Sequence, residues 1–435
     1  MASIISHLQQ MDRQLELLLP VEEILQACRD VGYKFRIRVL NPALTVHLLI
    51  LQLLAESSMR GLKRVARLQI TKQAVAQARA RLPLQMMLNL VEAVCQRAMS
   101  LVERDPDSDS NWHGHRLVLG DGTTSRVDDT PVLRKRYGKA SNQRGLSTGC
   151  PLMRLLAVLD YSTGMIRRII SMPYAQQELK ALALMFRHLK ANDLILADRG
   201  LISFAHAALM LRRSLCFCIR LPGSMVVHGR GKCSHLRVKR LGKQDMLVNW
   251  LRVACPTWMS KQRFMRLPKQ LQLRQIAYRI CRAGFRPTWG WIITDRLDPK
   301  QYPATELIQL YERRWQVEVD FRDLKRTLGM NHLRSRTVEG VRKEVAAFVI
   351  LYNLIRLTIL KSAKSQHVKP DRISFIDAAD WLLWSRYDDT LPRMEVNPIR
   401  RRNTQPRAIK DYRRNFGRLT RPRCELERPP CEACL

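Results

Sequence analysis

Residues 303–330 constrain the fold more than any other stretch of the chain. From Pro303 to Gly329 there is no internal breaker, so the sequence predicts one helix of about seven turns, proline suiting its start and glycine its stop. Leu310, Val317 and Leu324 recur every seven residues and Leu328 joins them, an apolar stripe for a core. Wound at about 100° per residue from Tyr311, Arg314 falls near ~300°, Glu318 near ~340° and Lys325 near ~320°. A phenol, a guanidinium, a carboxylate and an ammonium therefore share one arc beside the apolar stripe. The plain alternative is a solvated charged face.

The spacing Tyr-x2-Arg-x3-Glu-x6-Lys, filled by Tyr311, Arg314, Glu318 and Lys325, resembles the signature of the insertion-sequence-four (IS4) family of bacterial transposases, with no adjustment. The resemblance implies a metal-dependent DNA transposase in which Glu318 is the last of three carboxylates. The rest of the chain should then supply two more.

Two strands do so. An apolar run from Arg116 delivers Asp121 into Asp-Gly-Thr-Thr, and a second, from Asp193, delivers Asp198 into Ala-Asp-Arg-Gly. Between them come strands at 152–159 and 165–172, joined by a turn at 160–164, and a helix at 178–190. A helix at 204–213 and a strand at 215–221 follow. This order is that of a ribonuclease-H-like α/β fold, in which Asp121 and Asp198 occupy neighbouring strand positions. Each Asp taken alone equally suits a turn or cap. Both also match motifs of the family.

A net charge of +37 and a pI near 10.6 point to a polyanionic partner, nucleic acid first. An acidic membrane surface is the rival, but His47 interrupts the apolar run 43–55, and Asn353 and Arg356 interrupt 345–360, so neither reads as a span. With no signal-peptide pattern, the expected location is the bacterial cytoplasm. Eleven scattered cysteines, an odd number, read as reduced thiols.

The expected organisation has six parts. Residues 1–110 form a helical N-terminal region for binding DNA ends, and 111–221 the first part of the catalytic core. Residues 222–296 form a β-rich insertion whose first strand-like run is 224–227, 297–335 the glutamate helix, 336–399 a helical C-terminal region and 400–435 a basic tail along DNA. In the first part, residues 11–31 carry one helical periodicity, and helices over 57–68 and 71–81 read as a helix-turn-helix with Thr71 as N-cap. Lys72, Gln73, Gln77, Arg79 and Arg81 are its donors toward phosphates or base edges. An ordinary bundle with a basic surface is the alternative. Cys424, Cys431 and Cys434 lack a fourth zinc ligand, and His113 and His115 read as a surface loop.

Asp121, Asp198 and Glu318 are all-oxygen donors suited to two Mg²⁺ ions, with Mn²⁺ able to substitute, for in-line displacement at phosphorus. Tyr311, Arg314 and Lys325, with Arg199, Arg220 and Arg322, are the expected phosphate contacts. The resemblance further implies double-stranded DNA as partner (element ends and target), a dimer in the DNA complex, and a tryptophan that receives a flipped base. Trp291 stands in that place, with Trp289 as alternative and a core tryptophan as the plain reading. A non-catalytic DNA-binding remnant and a ribonuclease-H-like nuclease without strand transfer are the competing functions.

Overall fold

The computed structural model describes residues 13–36, 39–56, 70–103, 111–140, 149–176, 178–227, 236–252, 254–280, 288–384 and 391–398. The chain divides into two compact units, Met1–Arg279 with Trp289–Pro398, and Ile280–Thr288 with Ile399–Leu435. The first unit holds the described hydrophobic core. The basic tail, its cysteines and the first helix of the expected helix-turn-helix lie outside the described residues.

Helices open the chain: α1 (Arg13–Leu18), α2 (Val21–Asp30), α3 (Pro42–Leu54), α4 (Lys72–Arg81) and α5 (Leu84–Glu103). The single helical run expected over 11–31 is two helices, because Pro20 has no amide hydrogen to continue α1 and stands instead at the N-cap of α2. Asn41 accepts from the Leu44 amide (2.8 Å) and Pro42 takes the first turn of α3. Ten consecutive residues of α3, Pro42 to Leu51, are buried, as its all-round apolar sequence requires.

One sheet organises the rest. Its strands are β1 (Asn111–Trp112), β2 (His115–Val127), β3 (Leu152–Asp160), β4 (Ile166–Pro173), β5 (Leu194–Ala197), β6 (Cys216–Arg220), β7 (Arg237–Gly242), β8 (Asp245–Leu251), β9 (Gln270–Ile280), β10 (Thr288–Thr294) and β11 (His332–Leu333). The spatial order is β4-β3-β2-β5-β6-β10-β9-β8-β7, with β1 and β11 also on β2. Strands β2, β3 and β4 are antiparallel, while β5 and β6 run parallel to β2. Strand β10 returns antiparallel on β6 and continues the sheet into β9, β8 and β7. The insertion is thus an extension of the same sheet. Its expected first strand, 224–227, is instead a 3₁₀ turn over Gly223–Met225, and a short helix α9 (Lys261–Met265) was not anticipated.

The central strands β3, β5 and β6 are buried on both faces, which their nearly continuous apolar sequences demand. One face packs α7 (Glu178–Met185) and α8 (Phe204–Arg212) in a core with Val118, Ile195, Phe217 and Ile293. The other carries Leu119, Leu196, Cys218 and Ile292, covered by the N-terminal helices, by the helical run 304–327 and by α12 (Val338–Gln366). Between these come α6 (Pro131–Tyr137), α10 (Ala304–Glu312) and α11 (Gln316–Arg322), and α13 (Phe375–Trp384) follows. Capped by Thr337, α12 is long and apolar enough to cross a bilayer, yet 89% of its most apolar window is buried inside the protein. It is a core helix.

Candidate active site

Pairing of β2 with β5 sets the first two carboxylates. Gly120 is in register with Ala197, so Asp121 and Asp198, one residue further on each, lie side by side. Alternation puts both on the face of Leu119 and Leu196, beneath the helical run 304–327. Asp121 accepts from the Gly122 amide (2.8 Å), and Asp198 Oδ1 is buried with no hydrogen-bond partner.

That run is not uniform. After α10 the backbone tightens into a 3₁₀ turn over Arg313–Trp315, returns to α-helix as α11, and loosens into a π turn over Asp323–Thr327. Gly329 stops it at φ 79°, as expected. Three residues after Tyr311, Arg314 stands over it, its guanidinium carbon 5.9 Å from the ring centroid.

From there Arg314 lies between two carboxylates, with Nη2 2.9 Å from Glu318 Oε1 and Nη1 3.7 Å from Asp121 Oδ2. Lys325 Nζ donates to Thr123 Oγ1 at 3.2 Å, two residues along the same face of β2. Two long cations, eleven positions apart on the helix, thus converge on one short segment of strand. Burial raises the Asp121 carboxyl to about 6, with Asp198 and Glu178 adding to the shift and the Gly122 amide and Arg314 opposing it. Burial lowers the Lys325 ammonium, and Arg326 lowers it further.

Tyr311 is 7% exposed, its hydroxyl buried and unpaired. Burial pushes that phenol well above its ordinary range. Arg199 is exposed on the turn after Asp198, and Arg220 ends β6 on the same sheet face. Arg322 is exposed with Asp323 3.5 Å away. In α4, Lys72, Gln73, Gln77 and Arg81 are exposed behind the Thr71 cap, whose hydroxyl accepts from Ala74. Arg79 differs from expectation, since it turns inward to donate to Gln52. Trp291 is not brought to the carboxylates. It packs on the opposite core with Ile293, while Trp289 is 46% exposed. The expected histidine loop is a tight turn, with His113 paired to Glu306 and His115 buried against Tyr302.

Sequence reasoning missed Glu178 and Tyr278. The Glu178 carboxylate occupies the space a side chain at Gly122 would fill, 3.5 Å from Arg154. Only the glycine after Asp121 hints at that approach. Among the described residues, no three His, Cys, Asp or Glu side chains are gathered closely enough to hold a cation as they stand. The set still fits a hard divalent ion: every donor is a carboxylate oxygen, one on Asp198 is buried without a partner, and a guanidinium supplies positive charge between Asp121 and Glu318.

Sheet order sets two aspartates side by side beneath a helix-borne Arg–Glu pair, and the sequence assigns this arrangement to a family. The chain belongs to the family described as the Transposase DDE domain, whose pattern matches residues 112–354. It is 22% identical over 281 residues to the transposase InsG for insertion sequence element IS4 of Escherichia coli (strain K12), covering 63% of this chain and 59% of that protein. The putative transposase InsZ of the same organism is 30% identical over 89 residues, 20% of this chain and 30% of that one. Among solved structures, a piggyBac transposase synaptic complex with hairpin DNA aligns over 86% of this chain and 79% of that chain, with 9% identity and a TM-score of 0.44.

Proposed function

We propose that this chain is a transposase that hydrolyses a phosphodiester at the ends of an insertion element and joins the freed 3′-hydroxyl to target DNA. Its core is ribonuclease-H-like, with Asp121, Asp198 and Glu318 holding two Mg²⁺ or Mn²⁺ ions. Bound there, such ions lower the pKa of water and stabilise a leaving oxygen at phosphorus. The chain's own residues do the rest. Asp121 is fixed by pairing within β2 and Asp198 by the turn that closes on its carbonyl at the end of β5, which keeps their oxygens in place without reorganisation. Arg314 neutralises Asp121 and Glu318 in the DNA-free protein, and its planar fork suits a phosphate once those carboxylates are otherwise engaged. Lys325, Arg199, Arg220 and Arg322 add phosphate contacts, with Tyr311 a hydroxyl donor. Lys72, Gln73, Gln77 and Arg81 read the element's ends, and two copies act together on double-stranded DNA in the bacterial cytoplasm. Trp291, on the other sheet face, takes no part.

One observation carries the reading: a single guanidinium bridges Glu318 and the strand carboxylate Asp121, beside an Asp198 oxygen that lacks any partner. The test is a joining assay. Full-length protein is incubated in Mg²⁺ with a labelled duplex bearing the sequences that flank its reading frame, plus a supercoiled plasmid. Transposition predicts labelled plasmid. Cut duplex with no label transferred would favour the nuclease, and intact duplex with tight binding the non-catalytic remnant.

A further inference from the structure

The insertion touches the glutamate helix at one aromatic residue. Tyr278 of β9 lies with its ring centroid 6.1 Å from that of Tyr311, tilted by 54°. It gets there because its neighbour strand offers a gap. A methyl group at Gly290 of β10 would lie 2.5 Å from Tyr278 Cζ and 2.8 Å from its hydroxyl oxygen. Gly290 shares the face of Ile292, and the Ile292–Arg220 register places it beyond the end of β6, the edge at which Asp198 leaves β5. The Arg314 guanidinium carbon stands over the same Tyr311 ring, 5.9 Å from its centroid. Burial raises the Tyr278 phenol while Arg220 and Arg314 pull it the other way, so both guanidiniums are within electrostatic reach of the ring.

We infer that Tyr278 is a positioning residue for Arg314: the insertion strand pushes one ring through the Gly290 gap, clamps the Tyr311 ring over which the guanidinium lies, and so fixes where that guanidinium points. The inference rests on the reading of the site given above. Tyr311 needs such a clamp, since its hydroxyl has no partner to hold the ring. Aromatic pairs and cations over rings prefer defined geometries, so two rings and a guanidinium in mutual contact are directional where simple apolar packing is not. It also gives the insertion a task in catalysis, since it would act on the reaction without touching DNA.

The test is a double-mutant cycle on full-length protein, read as the rate of Mn²⁺-dependent plasmid nicking and as affinity for a random-sequence 30-base-pair duplex at fixed salt. Tyr278→Phe, which keeps the ring, should behave as wild type. Tyr278→Ala and Gly290→Ala, which remove or displace it, should each slow nicking about tenfold, a loss of roughly 1.4 kcal/mol. Combining Tyr278→Ala with Arg314→Ala should cost no more than Arg314→Ala alone, because the first residue acts through the second. Additive losses, or normal nicking by Gly290→Ala with its melting temperature unchanged, would overturn the inference. If Tyr278→Ala misfolds, Gly290→Ala and its own combination with Arg314→Ala decide. A wild-type protein that binds duplex and never nicks it would instead refute the reading of the site. The cycle measured on binding then still decides, coupled losses upholding the clamp and additive ones removing it.

Discussion

A guanidinium that neutralises two carboxylates does two jobs, and the geometry of Arg314 suits both. Its 2.9 Å contact with Glu318 is the pairing expected four residues apart on a helix, while the longer reach to Asp121 crosses to the sheet. Only a planar fork spans the two. An ammonium at this position would reach one carboxylate and release the other. Arg314→Lys is therefore expected to fold with an unchanged melting curve and to nick DNA at less than about a tenth of the wild-type rate, measured on a plasmid in Mn²⁺. Full activity in the lysine variant would show that charge alone matters. The residue types and spacing here were legible in the sequence because four side chains in fifteen positions specify a helix face. Their contacts were not, since the reach of Arg314 to Asp121 and of Lys325 to Thr123 depends on a strand about two hundred residues away, which leaves no trace in apolar periodicity.

Along the element that carries Glu318, one buried group is out of balance. Asp320 is 1% exposed, accepts from Gln316 at 3.2 Å, and keeps Oδ2 without a partner. Burial raises its carboxyl from 3.8 to about 6, with Arg356, Gln316 and the Tyr352 hydroxyl opposing and Asp323 reinforcing the shift. Below the unfolded value the group is protonated in both states and contributes nothing. As pH rises toward the folded value, only the unfolded chain releases its proton, so stability falls until the penalty is complete above about 6. Asp320→Asn should then stabilise the protein at pH 8, by up to about 3 kcal/mol, and by little at pH 4. Urea unfolding at both pH values checks this. Equal gains at both, or a loss at pH 8, would contradict the charge argument. Other departures at this scale have similar local causes. Pro20 divides a run whose periodicity looked continuous, and the expected strand at 224–227 became a turn once Val227 was tied to the Gln275 side chain.

For the whole molecule, the strand order around Asp121 and Asp198 could be read in advance because each strand contains an apolar run, although β2 continues through Asp121 to Val127 where the sequence offered a turn. That β10 would rejoin β6 and carry the insertion into the same sheet could not, since pairing between strands so distant in sequence depends on register that no local pattern records. The same holds for the N-terminal helices. They share a core with α12, through Lys343 donating to the Ala80 carbonyl (2.7 Å) and through apolar packing, so the helices proposed to read DNA ends and the sheet that carries the carboxylates stand on one scaffold. Carboxylates held on that scaffold are the centre of the account, and the most direct measurement is cleavage against binding for single substitutions. Asp121→Ala, Asp198→Ala and Glu318→Ala are compared with wild type on a duplex carrying the flanking sequences, in Mg²⁺. Cleavage is expected to vanish in all three while duplex affinity stays within about threefold, since none removes a positive charge. Any one of them cutting at the wild-type rate would contradict the assignment of that carboxylate and, with it, the site.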